Sequence, residues 1–216
     1  MKKLPPFKKS TRILLQGVVL GGGILLIVAA ATIPFLFESS SLYYKLGVDG
    51  IMLRSGKMLG LLAAMLILFQ VIPVSRFVVL ERIFSLKHLY SFHKTSGKII
   101  LGLGLLHLFF IVAAENFTFF PLEKRYWPEL VGVVVLLLVV GVGGMSVWQS
   151  RLGLSWNSWQ RLHRWMTPLI ETLLLVHILF VSESFDSGIP RVALFSASGG
   201  AMLLFLRIYY RRIFNK

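Results

Sequence analysis

Two stretches of the sequence share one pattern, a histidine at each end of a long and mostly apolar segment: HKTSGKIILGLGLLH (His93–His107) and HRWMTPLIETLLLVH (His163–His177). In each stretch 14 positions separate the two histidines. At about 100° per residue of α-helix, 14 steps end about 40° short of four full turns, so both histidines share one helix face. The rise of about 1.5 Å per residue separates them by ~21 Å along the axis. The pattern predicts two long helices, each with two histidines on one side.

The composition around these stretches is that of a membrane protein. The chain has 216 residues, of which 56% are hydrophobic and only 15% charged, and its mean hydropathy is +0.77. Soluble domains carry about 25% charged residues. Apolar runs near the ~20 residues that a bilayer requires recur along the chain. We therefore predict an all-α membrane protein, a six-helix transmembrane bundle, and exclude a soluble enzyme. The predicted helices cover residues 13–36, 57–75, 92–114, 128–148, 163–182 and 190–210.

The basic residues indicate the orientation of the bundle. The N-terminal segment, the tail and the connections after the second and fourth helices hold 17 of the 23 Lys and Arg residues, with Glu81 as their one acid. By the positive-inside rule, both termini are expected in the cytoplasm. The net charge of +14 then reflects topology, and we expect no nucleic-acid partner. The expected organisation is a basic segment 1–12, a membrane domain 13–212 and a tail 213–216, with long outer loops at 38–57 and 115–127.

The histidines form two pairs at matching depths. The third and fifth helices are parallel in this topology, so His93 and His163 lie near the cytoplasmic face, and His107 and His177 lie in the outer half. The chain has no cysteine, which excludes thiolate metal sites and covalently attached c-type haem. Ionisable side chains inside a membrane are costly and usually functional. Facing imidazoles suit a six-coordinate b-type haem, so we predict two stacked haems with these four histidines as iron ligands. Histidines that only pack or relay protons are the alternative.

Other residues are weaker candidates. Basic side chains near the inner pair are candidates to bind haem propionates, or serve topology alone: Lys94, Arg161 and Arg164. Arg54, Lys124 and Arg125 are the outer counterparts.

Gly97 and Gly104 leave room for porphyrin edges or for close packing. Pro168 is expected to kink the fifth helix, and Glu171 serves proton uptake, quinone binding or structure. His88 is expected to lie in a solvated loop. The Gly17–Gly21 motif is expected to serve helix packing. Four tryptophans are expected at the inner membrane interface: Trp148, Trp156, Trp159 and Trp165.

The histidine stretches resemble a known family. HLYSFHKTSGKIILGLGLLH (His88–His107) and WQRLHRWMTPLIETLLLVH (Trp159–His177) are similar to segments of the ferric reductase-like transmembrane domain superfamily, the membrane core of NADPH oxidases and ferric reductases. The similarity covers roughly helices two to six. It implies that His93 and His163 ligate an inner haem and that His107 and His177 ligate an outer one. The size of the chain is closest to the stand-alone MsrQ-type haem subunit, which implies the inner membrane of a bacterium.

The resemblance implies transmembrane electron transfer with a separate electron donor. Only 39 residues follow His177, and the chain has no G-x-G-x-x-G motif, so neither a nicotinamide nor a flavin site is supported. We expect electrons to enter from a cytoplasmic flavoprotein reductase or the quinone pool. They would leave to an outer acceptor: a periplasmic oxidoreductase, ferric iron or oxygen. Two alternatives stay open, a quinol-linked cytochrome b subunit and a haem-free proton-coupled transporter.

Overall fold

All regular structure in the described part of the chain is helical. The computed structural model describes residues 7–37, 46–117 and 124–214, apart from the side chains of residues 125, 212 and 213. The helices are α1 (Lys9–Leu36), α2 (Gly47–Phe69), α3 (Val71–Val74), α4 (Val78–Ile83), α5 (Leu86–Ala114), α6 (Trp127–Trp148), α7 (Trp156–Val181) and α8 (Gly188–Phe214). Single 3₁₀ turns at Lys124–Tyr126 and Glu183–Phe185 precede α6 and α8.

Six segments of the described residues are long and apolar enough to cross a membrane, which confirms the predicted all-α, six-helix architecture. They are α1, α2 together with α3, α5, α6, α7 and most of α8. Large apolar side chains point away from the bundle, as Leu25, Leu137 and Phe180 show with exposed fractions above 60%. Such an apolar surface is compatible with lipid. Within the bilayer core every backbone N–H and C=O group must be hydrogen-bonded inside the protein, and α-helices meet this requirement.

Three helices, α2, α5 and α7, begin six to ten residues earlier than predicted. α2 begins at Gly47 and not near residue 57, so the predicted outer loop 38–57 is wrong over its second half; residues 38–45 lie outside the described part. Gly50, Leu53 and Gly56 form a buried stripe on this early part of α2, and tertiary packing of that stripe supports the polar turns around it. α5 and α7 likewise begin with polar turns, at Leu86 and Trp156.

His88 belongs to one of these polar turns. The sequence placed it in a loop, and this is wrong, since it lies in the first turn of α5. Its side chain is exposed, and its ring Nδ1 shares a hydrogen bond of 2.7 Å with the hydroxyl of Ser85, directly before the helix. The Ser85 hydroxyl therefore bonds the His88 ring and not the backbone N–H groups that a capping serine bonds.

The bundle is built from two closely packed helix pairs. α2 packs along α5, and α6 packs along α7. α5 and α7, which carry the paired histidines, make almost no backbone contact with each other along their described lengths. The side chains of these two helices therefore face each other across a gap, and the gap is where the candidate site lies.

Gly56 allows the close packing of α2 against α5. A Cβ atom built on Gly56 would lie 2.9 Å from Cδ1 and 3.3 Å from the backbone nitrogen of Ile111. The predicted packing motif Gly17–Gly21 contacts no other helix among the described residues of this chain, because Cβ atoms built there meet none of their atoms within 4 Å. Gly56 and Gly60 repeat the same G-x-x-x-G spacing, and in α2 the spacing does face another helix.

We expect Gly56→Ala to destabilise the bundle by about 1–3 kcal/mol, the usual cost of overpacking. Gly17→Ala is the matched control and should be neutral or stabilising by roughly 0.5–1 kcal/mol, since alanine is the better helix former. Unfolding of both variants in mixed detergent micelles measures the difference. Equal stabilities for the two variants would contradict the close contact at Gly56.

The start of α1 and the end of α8 lie at one end of the bundle. Arg12 Nε and Gln16 Nε2 each donate a hydrogen bond of 2.9 Å to the carbonyl of Ile83, at the end of α4. The guanidinium of Arg207, in α8, lies 3.7 Å from the ring centre of Phe77. α5 begins just after this connection, so His93 lies towards the same end.

Candidate functional site

The four predicted ligand histidines lie in two facing pairs. His93 of α5 faces His163 of α7, with ring centroids 6.0 Å apart and planes at 76°. His107 of α5 faces His177 of α7, with centroids 6.4 Å apart and planes at 77°. All four side chains are half-buried. The imidazoles therefore bridge the gap between α5 and α7 at two levels, and the two levels share almost the same ring geometry.

Each outer histidine is held by the helix packed behind it. His107 Nδ1 lies 2.8 Å from the carbonyl oxygen of Gly56 in α2, and His177 Nδ1 lies 2.8 Å from the carbonyl oxygen of Pro128 in α6. A carbonyl oxygen only accepts hydrogen bonds, so in both rings Nδ1 carries the proton and donates it. Nε2 then has a free lone pair, which is the form of imidazole that binds a metal.

Glycines leave the space that these two rings occupy. A Cβ atom built on Gly60 would lie 2.8 Å from His107 Nδ1, and one built on Gly132 would lie 2.7 Å from His177 Nδ1 and 2.9 Å from its Nε2. Carbon atoms do not approach ring atoms so closely, so a larger residue would displace the imidazole. Sequence reasoning missed both glycines; the G-x-x-x-G spacing of Gly56 and Gly60 was the available signal for one of them.

The inner histidines are held differently. His93 Nδ1 lies 3.3 Å from the backbone carbonyl of Gln70, a longer bond than those of the outer pair. The Gln70 amide donates to Ser96 Oγ at 3.0 Å and to the carbonyl of His93 at 3.3 Å, which ties the end of α2 to α5. His163 Nδ1 is buried without a hydrogen-bond partner among the described residues. Sequence reasoning missed Gln70, which directly follows α2.

Trp159 packs against the inner pair. Its ring centroid lies 5.0 Å from that of His163, one turn further along α7, and the residue is only 6% exposed. The depth of Trp159 at the inner membrane interface stays a prediction, but its side chain faces the interior of the bundle and not the surface. Trp148, Trp156 and Trp165 are exposed, but Trp159 shares the inward face of α7 with His163 because residues four apart lie one above the other.

A cavity of about 320 Å³ opens beside the outer pair, within the range of small-molecule and cofactor sites. Its walls are mostly apolar, and they include Ile100 and Leu174 between the levels of the two pairs. Gly104 also lines the cavity, in contact with Leu136, whereas Gly97 faces the Gln70 amide instead. The ionisable residues in the cavity wall, besides the two histidines, are Lys57, Glu115 and Glu129.

The predicted cationic residues differ in their placement. Lys94 and Arg161 are exposed next to the inner histidines in sequence, while Arg164 is half-buried and donates from Nε to the carbonyl of Gln160 at 2.7 Å. Arg54 does not line the outer cavity, and Lys124 is exposed; the Arg125 side chain lies outside the described part. Lys57, which the sequence analysis did not select, is the basic side chain among the described residues that borders the cavity.

Glu171 and Pro168 lie in α7 between its two histidines. Glu171 is 3% exposed, and neither of its carboxyl oxygens has a hydrogen-bond partner among the described residues. It is not part of the wall of the outer cavity. α7 continues as a helix through Pro168 from Trp156 to Val181. The stripe between the histidines is therefore apolar on the cavity side and carries one buried acid on another side.

The donor set suits a metal group held from two opposite sides. No cluster of three or more His, Asp or Glu side chains that would enclose an ion is found in the described residues, so the donors come as facing imidazoles. A metal–nitrogen bond of about 2 Å on each side, plus about 1.1 Å from nitrogen to ring centre, separates two axial rings by roughly 6 Å. The centroid distances of 6.0 and 6.4 Å agree with this value. A planar macrocycle with one central metal fits such a pair.

Fold and site together define a multi-pass helical membrane protein with two stacked pairs of facing histidines. A family model described as "Ferric reductase like transmembrane component" matches residues 59–181, more than half of the chain and all four paired histidines. The chain belongs to this family, and the family implies electron transfer across a membrane. No curated protein and no solved structure matches the chain.

Proposed function

We propose that this chain holds two b-type haems and carries electrons across the membrane between them. His93 and His163 would hold the inner haem, and His107 and His177 would hold the outer haem. The observation that carries the proposal is the facing of both ring pairs, at 6.0 and 6.4 Å, between two helices that otherwise hardly touch. A haem bound in this way supplies one-electron transfer at its iron.

The residues around the outer pair hold the two imidazoles in the tautomer and orientation that suit metal binding. The hydrogen bonds to the carbonyls of Gly56 and Pro128 hold the Nδ1 protons, so Nε2 is the nitrogen left for the iron. Such bonds also raise the basicity of the imidazole and fix the orientation of its ring. The wall around Ile100 and Leu174, between the two levels, is apolar.

Basic side chains are proposed to bind the haem propionates. Lys57 borders the outer cavity and interacts electrostatically with Glu183, at the same end of the bundle. Lys94, Arg161 and Arg164 remain the candidates at the inner end. Cations placed next to carboxylates offset the cost of holding those carboxylates close to the membrane core.

The direction of transfer rests on the distribution of charge. The end of the bundle that carries Arg12, Arg82 and Arg207 is proposed to be cytoplasmic, in agreement with the positive-inside rule. Electrons then enter at the His93/His163 pair from a separate cytoplasmic flavoprotein or from quinol. They leave near the His107/His177 pair to an outer oxidoreductase, ferric iron or oxygen. We propose the inner membrane of a bacterium as the location.

The test is a dithionite-reduced minus oxidised spectrum of the detergent-purified protein, with haem counted per chain. We expect a b-type spectrum and about two haems per chain. His88→Ala is the matched control, because His88 is exposed at the start of α5, and it should change neither the spectrum nor the count. Folded but colourless protein would overturn the proposal and favour a haem-free proton pathway through the histidines.

A further inference from the structure

Each outer histidine lies against a neighbouring helix at a position built in the same way, a backbone carbonyl that accepts its Nδ1 proton and a glycine beside that carbonyl. We call this position the seat of the histidine. His107 donates to the carbonyl of Gly56, and the residue four positions later is Gly60. His177 donates to the carbonyl of Pro128, and the residue four positions later is Gly132. In each seat, an accepting carbonyl is followed by a glycine one helical turn further on. The first seat belongs to α2 and the second to α6, the helices packed behind α5 and α7.

Helix geometry explains why the glycine lies at this spacing. The carbonyl of residue i already accepts the N–H of residue i+4, and its second lone pair is open to a side chain from another helix. Side chains tilt towards the start of their helix, so a Cβ atom at i+4 lies over this carbonyl. Glycine at i+4 leaves room for an imidazole that packs closely against this carbonyl from the neighbouring helix, whereas a Cβ atom there would meet the ring.

These two glycines differ from the others in what they face. The three nearest atoms to a Cβ built on Gly60 all belong to the His107 ring, and the three nearest to one built on Gly132 all belong to the His177 ring. At Gly56 the nearest atoms belong to Ile111, and at Gly104 the nearest atom belongs to Leu136. General helix packing therefore accounts for Gly56 and Gly104, but not for Gly60 and Gly132.

We propose that Gly60 and Gly132 are positioning residues, which open the carbonyls of Gly56 and Pro128 to the outer histidines and so set the tautomer and ring orientation of both. The inference deepens the proposed function, since its purpose is ligation of the outer haem. It is confined to the outer level: His93 has a weaker Nδ1 bond of 3.3 Å, and His163 Nδ1 has no hydrogen-bond partner among the described residues.

The experiment compares Gly60→Ala and Gly132→Ala with two control variants, Gly102→Ala in α5 and Gly141→Ala in α6. Cβ atoms built at both control positions meet no atom of the described residues within 4 Å. Haem per chain and the electron paramagnetic resonance spectrum of the oxidised protein are recorded for each. We expect the outer low-spin signal to shift or disappear in the two seat variants, with the inner signal unchanged, and the haem count to fall from about two towards one. The controls should keep both signals.

A second measurement tests the seats without haem. Full-length protein from a haem-deficient host, labelled with ¹⁵N-histidine, should show Nδ1–H tautomers for His107 and His177, and these should be lost in the corresponding glycine variants. Wild-type outer signals and tautomers in both seat variants would overturn the inference. Wild-type protein that binds no haem would instead overturn the proposed function, and the ¹⁵N spectra would still decide on the seats.

A rescue variant covers the case in which Gly132→Ala does not fold. Gly132→Ala combined with His177→Ala removes the ring that the new methyl group would meet. Folding restored in the double variant supports the seat, because the clash is then with the imidazole. Failure of the double variant as well would show that Gly132 serves helix packing, and would overturn the proposal at that position.

Discussion

Replacing two histidines should leave one six-coordinate haem or none, depending only on which two are replaced. His93→Ala with His163→Ala removes both ligands of one pair and should leave about one low-spin haem per chain. His93→Ala with His107→Ala removes one ligand from each pair and should leave none, although the number of histidines lost is the same. The reason is the observed facing of His93 with His163 and of His107 with His177.

A third double variant tests the same pairing by removing one histidine from each level, on opposite helices. His93→Ala with His177→Ala should also leave no six-coordinate haem, because these residues belong to different levels. Haem per chain and the low-spin signals of the oxidised protein measure all three variants, with His88→Ala as control. One low-spin haem retained in the His93/His177 variant, and none in the His93/His163 variant, would mean that each haem bridges the two levels, and would refute the pairing.

Electron transfer through vesicles should depend on both levels. Haem-loaded protein is reconstituted into liposomes that contain ferricyanide, and dithionite is added outside, so that only electrons crossing the bilayer bleach the trapped acceptor. Random insertion does not matter, because a path through both haems works from either side. We expect His107→Ala with His177→Ala to lower the rate to that of liposomes without protein. The remaining inner site lies ~21 Å along the helix axis from the lost one.

His88→Ala liposomes are the control and should keep the wild-type rate. If the variant without His107 and His177 also kept the wild-type rate, the outer pair would not belong to the electron path, and the proposal for this level would fail. Haem counts on the same preparations separate a broken path from protein that was not inserted.

Much of the fold followed from local patterns. Apolar runs of about bilayer length predicted six spanning helices, and the family suggested by the histidine stretches is confirmed by the match over residues 59–181. The beginning of α2 was missed, because Asp49, Arg54 and Lys57 interrupt the apolar run there. Packing of Leu53 against Ala114 in α5 stabilises that part of the helix, and a hydropathy pattern has no information about such a partner.

The glycine motifs show the same limit. Gly17–Gly21 and Gly56–Gly60 have the same spacing in similarly apolar surroundings. In the described part of the chain no atom lies within 4 Å of Cβ atoms built on the first pair, while Ile111 and His107 face the second. The packing prediction fell on the first motif, whereas the second is the one that contacts another helix in this chain. Trp159 was likewise grouped with three interfacial tryptophans, although it is buried against His163. In each case the deciding fact is which helix lies opposite.

By itself, the sequence determined the helical class, the number of spans and the shared face of the histidines in each stretch, because these properties depend on residues a few turns apart in one helix. Only the tertiary structure decided what holds the rings. The hydrogen bonds of His107 to Gly56 and of His177 to Pro128 join residues 51 and 49 positions apart, and they depend on close helix packing at the glycines. Periodicity is a property of one helix, whereas these seats exist only where two helices meet.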